Sequence, residues 1–221
     1  LVLYGIFSSS GESCIAGSRA FVHASVYDEF KARLLAGVQA LRVGDPSDER
    51  TQMGPLVSQS HRDSVERYVQ LGRDEGGRVL CGGQRPAGAP YDAGSYYQPT
   101  VIEGLPNSAR MCQEEIFGPV LALLPWQDEA DLVAQCNDSV FGLASGIWTR
   151  DFKTAWRIGS ALHTGTVWIN TYKLFSVSTP FGGTKQSGVG REKGRQGILE
   201  YTRQKGFYWG LNESPLPWAA S

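Results

Sequence analysis

Several signatures are missing from this chain. Its four cysteines, Cys14, Cys81, Cys112 and Cys136, include no C-x-x-C pair. That argues against a zinc site or a disulfide framework and leaves reduced thiols, as in a cytoplasmic protein. Its three histidines, His23, His61 and His163, stand far apart in no ligand spacing, so ordinary surface or core positions are expected and no metal is. No apolar stretch approaches the roughly 20 residues of a membrane span. The net charge is −1 and no basic run stands out, which excludes an electrostatic nucleic-acid or membrane partner. The opening Leu1-Val2-Leu3-Tyr4-Gly5-Ile6-Phe7 has neither a basic region nor a small-residue cleavage site, unlike a signal peptide. It reads as the middle of a buried element in a longer chain.

What is present alternates between two periodicities. Val26, Phe30, Leu34, Val38 and Leu41 recur every three or four residues, as an amphipathic helix requires, with Ser25 and Asp28 expected as its capping box. Ser58, Asp128 and Asp151 are placed to cap three more helices. Residues 18–23, 78–81, 97–102, 120–124, 143–149 and 165–170 read as strands. The continuous apolar run Val120–Leu124 is what a strand buried on both faces looks like. Strands alternating with helices of this length imply an α/β fold, a mostly parallel doubly wound sheet with helices on both faces. The 221 residues with 41% hydrophobic content suffice for a substantial core.

Three blocks carry chemistry. Cys14 lies in a run of small residues, Ser8-Ser9-Ser10-Gly11-Glu12-Ser13-Cys14-Ile15-Ala16-Gly17-Ser18. A free thiol with a pKa of about 8.5 is only slightly ionised at neutral pH, and the thiolate is the nucleophile. Small neighbours leave room for a carbonyl, and backbone N–H groups in such a turn can face an oxyanion. The bland alternative is an inert core cysteine. The second block, Glu114-Glu115-Ile116-Phe117-Gly118-Pro119, joins two carboxylates to an aromatic ring and a Gly-Pro bend. Taken alone, it is a solvated acidic turn. The third, Pro180-Phe181-Gly182-Gly183 through Gly188-Val189-Gly190-Arg191-Glu192, is rich in glycine but lacks dinucleotide-fingerprint spacing. Its glycines are expected to let backbone segments pass closely, with Arg191 and Glu192 as a local ion pair.

In this order, the three blocks resemble the catalytic half of the aldehyde dehydrogenase superfamily, from near Leu1 to about Lys205. The resemblance implies oxidation of a small-molecule aldehyde to a carboxylic acid with NAD or NADP. Cys14 is then the nucleophile that forms a thiohemiacetal and a thioester. Glu115 receives the hydroxyls of the nicotinamide ribose and Phe117 packs beside it, while Glu114 is structural. Ser13, Ile15, Leu174, Phe175 and Phe181 surround the aldehyde channel. It also implies that the phosphate cradle, the general base and an oxyanion asparagine lie upstream of Leu1, so that this chain is a fragment without dehydrogenase activity of its own. Glu12 stands where the family usually has Gln; facing inward it would oppose ionisation of Cys14, and otherwise it meets solvent or a cation. Residues 1–203 form the catalytic domain on this reading. Residues 204–221 form an oligomerisation strand and tail, with Phe207, Trp209 and Leu211 on one face, ended by Pro215 and Pro217, implying a homodimer or dimer of dimers. A cysteine-dependent thioester hydrolase paired with a histidine, and a non-catalytic interaction module, remain the alternatives.

Overall fold

The computed structural model describes residues 1–211 and residue 218. Four strands form its main sheet: β1 (Arg19–His23), β2 (Arg78–Cys81), β3 (Thr100–Glu103) and β4 (Val120–Trp126), in the spatial order β1-β4-β3-β2. β4 runs parallel to both β1 and β3, and β2 is antiparallel at the edge. Residues 120–124 of β4 are all buried, and alternation sends them to opposite faces. Val120, Ala122 and Leu124 pack with Val65 and Val69 of one helix, α3 (Gln59–Asp74). Leu121 and Leu123 pack with Ile6 and Phe7 of α1 (Val2–Phe7), and with Leu34 and Val38 of α2 (Tyr27–Gln39). Helices therefore cover both faces of a mostly parallel sheet, as the alternating pattern implies.

The second half forms smaller sheets in place of an extension of the first. After α4 (Arg110–Gln113) and α5 (Glu129–Asn137), β5 (Phe141–Gly142) pairs antiparallel with β8 (Thr184–Lys185). β6 (Ala144–Ile147) pairs in parallel with β7 (Thr166–Ile169), with α6 (Phe152–Ala161) between them in sequence. The last helix is α7 (Gly194–Leu199). Among the described residues, no helix is long and apolar enough to cross a membrane.

The side chains of Ser58, Asp128 and Asp151 do cap α3, α5 and α6. Ser25 does not cap α2: its hydroxyl lies 2.7 Å from His23 Nδ1, and the helix starts at Tyr27 with no side-chain cap. The strand expected from Tyr97 begins only at Thr100, because Pro99 has no N–H to give a ladder. Residues 203–211 form no strand and make no hydrogen bond among the described residues. Phe207, Trp209 and Leu211 are each more than 80% exposed, so the segment neither pairs nor folds back on the domain. Pro215 and Pro217 lie outside the described residues.

One carboxylate at the edge of the main sheet makes stability depend on pH. Tyr27 and Lys31 donate to the buried Glu103 at 2.9 and 3.2 Å, and Arg78 adds an ion pair. Burial pushes the Glu103 pKa up, but these three partners outweigh it and hold the carboxyl below its ordinary value of 4.5. The stabilisation is thus fully present above that value and is lost as the pH falls through the lowered one. Glu103→Gln is expected to cost about 2 kcal/mol at about pH 7, measured by urea unfolding. The deficit should close in acid, where the wild-type carboxyl is itself neutral; a deficit that persists there would refute the assignment.

Candidate active site

The loop carrying Cys14 enters β1 at its amino end, and Gly118-Pro119 enters the parallel neighbour β4 at the same end. The loop begins as a 3-10 turn over Ser8–Gly11, in which Ser9, Ser10 and Gly11 have φ of 54°, 55° and 74°. Glycine is required at position 11, since a Cβ there would collide with the Gly118 carbonyl as well as being strained. Two blocks a hundred residues apart in sequence are thereby in backbone contact. The Ser10 hydroxyl donates to Gly54 O at 3.0 Å, and a turn closes with Ala16 N donating to Ser13 O at 2.8 Å. Cys14 sits exposed on this turn. Its own N–H has no hydrogen-bond partner among the described residues, so it is available to a developing oxyanion.

On the Gly118 side, the two carboxylates of the acidic block separate in role. Glu114 accepts from Arg110 at 2.7 Å and from the Tyr68 hydroxyl at 2.9 Å. Those hydrogen bonds hold its carboxyl below the ordinary range. Glu115 is exposed and has no partner among the described residues. Phe117, two residues on, has φ 56° and is 39% exposed.

His61, unmarked in the sequence, joins the two blocks. Its Nε2 lies 2.8 Å from Phe117 O and 3.6 Å from a Glu12 oxygen. The same Glu12 oxygen accepts from Val57 N at 3.0 Å. Glu12 is thus committed to the start of α3. No imidazole is hydrogen-bonded to Cys14 among the described residues.

Aromatic side chains form a wall next to the thiol. Ile15 is buried against Trp168 and Tyr172, with Phe181 packed on the same cluster. Phe175 meets Phe181 edge-on at 5.1 Å and Trp168 at 5.5 Å. The Tyr172 hydroxyl donates to Ile15 O at 2.9 Å, fastening the wall to the Cys14 turn. Of the expected channel residues, Ile15, Phe175 and Phe181 come together and Ser13 lies on the turn. The Leu174 side chain is largely exposed; only its carbonyl takes part, accepting from Trp168 Nε1 at 2.7 Å. Trp168 and Tyr172 were not singled out by sequence, although both stand close to Phe175.

The glycine-rich block holds Phe181 in place. Phe181 and Glu192 exchange backbone hydrogen bonds at 2.8 Å. Arg191 does not pair with Glu192 as expected: its guanidinium donates to the Gly183 and Gly190 carbonyls at 2.6 Å each, closing the loop on itself. Close passage of backbone is real here, for a Cβ on Gly165 would overlap the Gly182 carbonyl.

The four thiols differ in exposure. Burial pushes the Cys112 and Cys136 thiols up to about 11, and raises that of Cys81. At about pH 8 only roughly one in a thousand of the Cys112 and Cys136 groups is then ionised. Brief treatment with iodoacetamide followed by peptide mapping should label Cys14 first, with Cys112 and Cys136 reacting only after unfolding. Faster labelling of Cys112 or Cys136 would contradict the assignment of Cys14 as the most accessible thiol.

Known proteins share this arrangement. A profile described as the aldehyde dehydrogenase family matches residues 1–207. Betaine aldehyde dehydrogenases of Cereibacter sphaeroides and Brucella melitensis are 43% and 41% identical over 216 residues, which is 98% of this chain and 44% of each relative. The chain therefore spans less than half the length of these relatives. Among solved structures, a Mycobacterium tuberculosis aldehyde dehydrogenase complexed with NAD+ is 43% identical with a TM-score of 0.88, covering 92% of this chain and 42% of that one. Betaine aldehyde dehydrogenase of Staphylococcus aureus, with NAD+ and a BME-modified cysteine, is 38% identical with a TM-score of 0.88, covering 90% and 41%. With the thiol turn, the carboxylate–aromatic edge and the glycine-rich loop assembled around one site, the chain belongs to the aldehyde dehydrogenase family.

Proposed function

We propose that this chain is the C-terminal catalytic portion of an NAD(P)-dependent aldehyde dehydrogenase. The observation that carries this reading is the exposed Cys14 turn, packed through Gly11 onto the bend that presents Glu115 and Phe117. The Cys14 thiolate adds to the aldehyde carbon, forming a C–S bond as the carbonyl oxygen takes the charge. The Cys14 N–H faces that oxygen. NAD, when bound, accepts the hydride from the same carbon, which leaves a thioester on Cys14. Water then displaces sulfur, giving the carboxylic acid and the free thiol. An exposed, partnerless carboxylate two residues from an exposed aromatic residue suits a ribose, whose two hydroxyls can both donate to Glu115 while the sugar packs on Phe117. Trp168, Phe175 and Phe181 keep water from the aldehyde side chain.

The phosphate cradle and the base that activates water are assigned to sequence outside this chain, so the isolated chain is inactive as a dehydrogenase. The four free cysteines support a reducing compartment such as the cytoplasm. Residues 1–203 act as the catalytic domain.

In the full-length protein, Cys14→Ala is expected to lower kcat by roughly four orders of magnitude or more, with the Kd for NAD unchanged by fluorescence titration. Glu115→Gln replaces one acceptor by a donor and should raise the KM for NAD about tenfold. Normal turnover in the cysteine variant would refute the reading.

The segment from Gln204 to Leu211 is assigned to a neighbouring subunit, where its free backbone edge and its apolar side chains are covered, in a homodimer or a dimer of dimers. Ending the chain before Gln204 should lower the mass measured in solution by light scattering. An unchanged assembly would place the interface elsewhere.

A further inference from the structure

Two cations, one beside the start of the Cys14 loop and one on the aromatic wall, stand without a carboxylate partner among the described residues. Lys173 has φ 59°, in the left-handed region, and follows the tyrosine that is fastened to Ile15. Its Nζ donates to the Ser8 hydroxyl at 2.7 Å, at the start of the nucleophile loop, and lies 5.6 Å from the Tyr4 ring. Lysine has three N–H donors, so this bond leaves the others free. Burial pulls the Lys173 pKa below its ordinary value, and the charge of nearby Cys14 opposes that shift. Lys193, with φ 60°, holds its Nζ 4.1 Å over the face of Phe175 and 6.0 Å from Phe181. Among the described residues, neither lysine forms a salt bridge. Of the carboxylates in the nearby blocks, Glu12 is committed to Val57 and His61 and Glu114 to Arg110, while Glu115 and Glu192 are exposed and form no ion pair with either lysine among the described residues.

We infer that the substrate is a short aldehyde carrying a carboxylate, whose negative end is held by Lys173, and by Lys193 at the outer part of the wall, while its carbonyl meets Cys14. The inference rests on aldehyde oxidation at Cys14, and it concerns which aldehyde is taken. A partly desolvated ammonium with donors to spare gains a counter-ion when such a substrate enters, whereas an alkanal leaves it unpaired. A cationic aldehyde meets like charge at the same place. The aromatic wall packs the intervening methylenes but does not discriminate between charges, so selectivity falls to the lysines.

The test is a charge series of similar size assayed with the full-length enzyme and saturating NAD: succinate semialdehyde as the anion, n-butanal as the neutral compound and betaine aldehyde as the cation. Wild-type kcat/KM should favour the anion over n-butanal by about tenfold or more. The advantage should shrink as salt is raised from about 20 mM to about 500 mM. Lys173→Met should lower the anion-to-neutral ratio about tenfold, and Lys173→Glu should reverse the order of anion and cation. Preference for n-butanal or betaine aldehyde in the wild type, or an equal fall for anion and neutral compound in Lys173→Met, would overturn the inference and leave aldehyde oxidation standing. If none of the three aldehydes is oxidised, the dehydrogenase reading fails and this inference fails with it.

Discussion

The backbone contact between Gly11 and Gly118 is the constraint on which the site depends. At position 11 the chain must turn through the left-handed region and also lie against a carbonyl, and only glycine does both. Ser9 and Ser10 share the same region without glycine's freedom, at a cost on the order of 1–3 kcal/mol each. Such strain persists only where the surroundings over-determine it. Here Ser10 is tied to Gly54, Ser8 to Lys173, and Ile15 to Tyr172. Two distant segments, around Gly54 and Tyr172–Lys173, therefore hold a conformation that the loop would not keep alone, and that conformation leaves Cys14 exposed.

The sheet supplies the rigid floor for these anchors. β4 is buried on both faces and parallel to both neighbours, so the loops before β1 and β4 emerge side by side at their amino ends. His61, at the start of α3, spans the gap between Glu12 and Phe117 from the helix side. The thiol loop and the carboxylate edge are thus set by main-chain geometry and buried packing. Exposure then separates the cysteines: identical side chains become an accessible thiol at Cys14 and poorly ionised groups at the buried Cys112 and the half-buried Cys136.

The smaller sheets of the second half add an aromatic wall. β7 ends at Ile169, and residues 170–181 cross in front of the nucleophile turn, bringing Tyr172, Phe175 and Phe181 to one place. Lys173 and Lys193 come with them because their backbone positions are fixed by the same loop and by the Phe181–Glu192 pairing. A hydrophobic wall flanked by cations is a different recognition surface from a purely apolar tunnel, which is how the aromatic residues alone would be read.

Much of the architecture was local and therefore legible. The burial of β4 follows from five consecutive apolar residues, and the starts of α3, α5 and α6 follow from Ser58, Asp128 and Asp151. In each case a side chain acts on backbone within one turn. Cys14 stood out by its small neighbours, while Glu115 and Phe117 stood out only through the resemblance of the ordered blocks to a family. The failures lie where a nearby partner was displaced by a distant one or by the main chain. Ser25 turned to His23 and left the helix uncapped, and Arg191 chose carbonyls over Glu192. His61, Trp168, Tyr172 and Lys173 gained their places through contacts with residues up to 165 positions away. The sequence by itself determined the helix caps, the buried strand and the reactive residue types, because those depend on short-range sterics and hydrogen bonding. Only the tertiary structure decided which thiol is exposed, which carboxylates are paired and which lysines stand beside the Cys14 loop and the aromatic wall, because burial and pairing are properties of the packed chain.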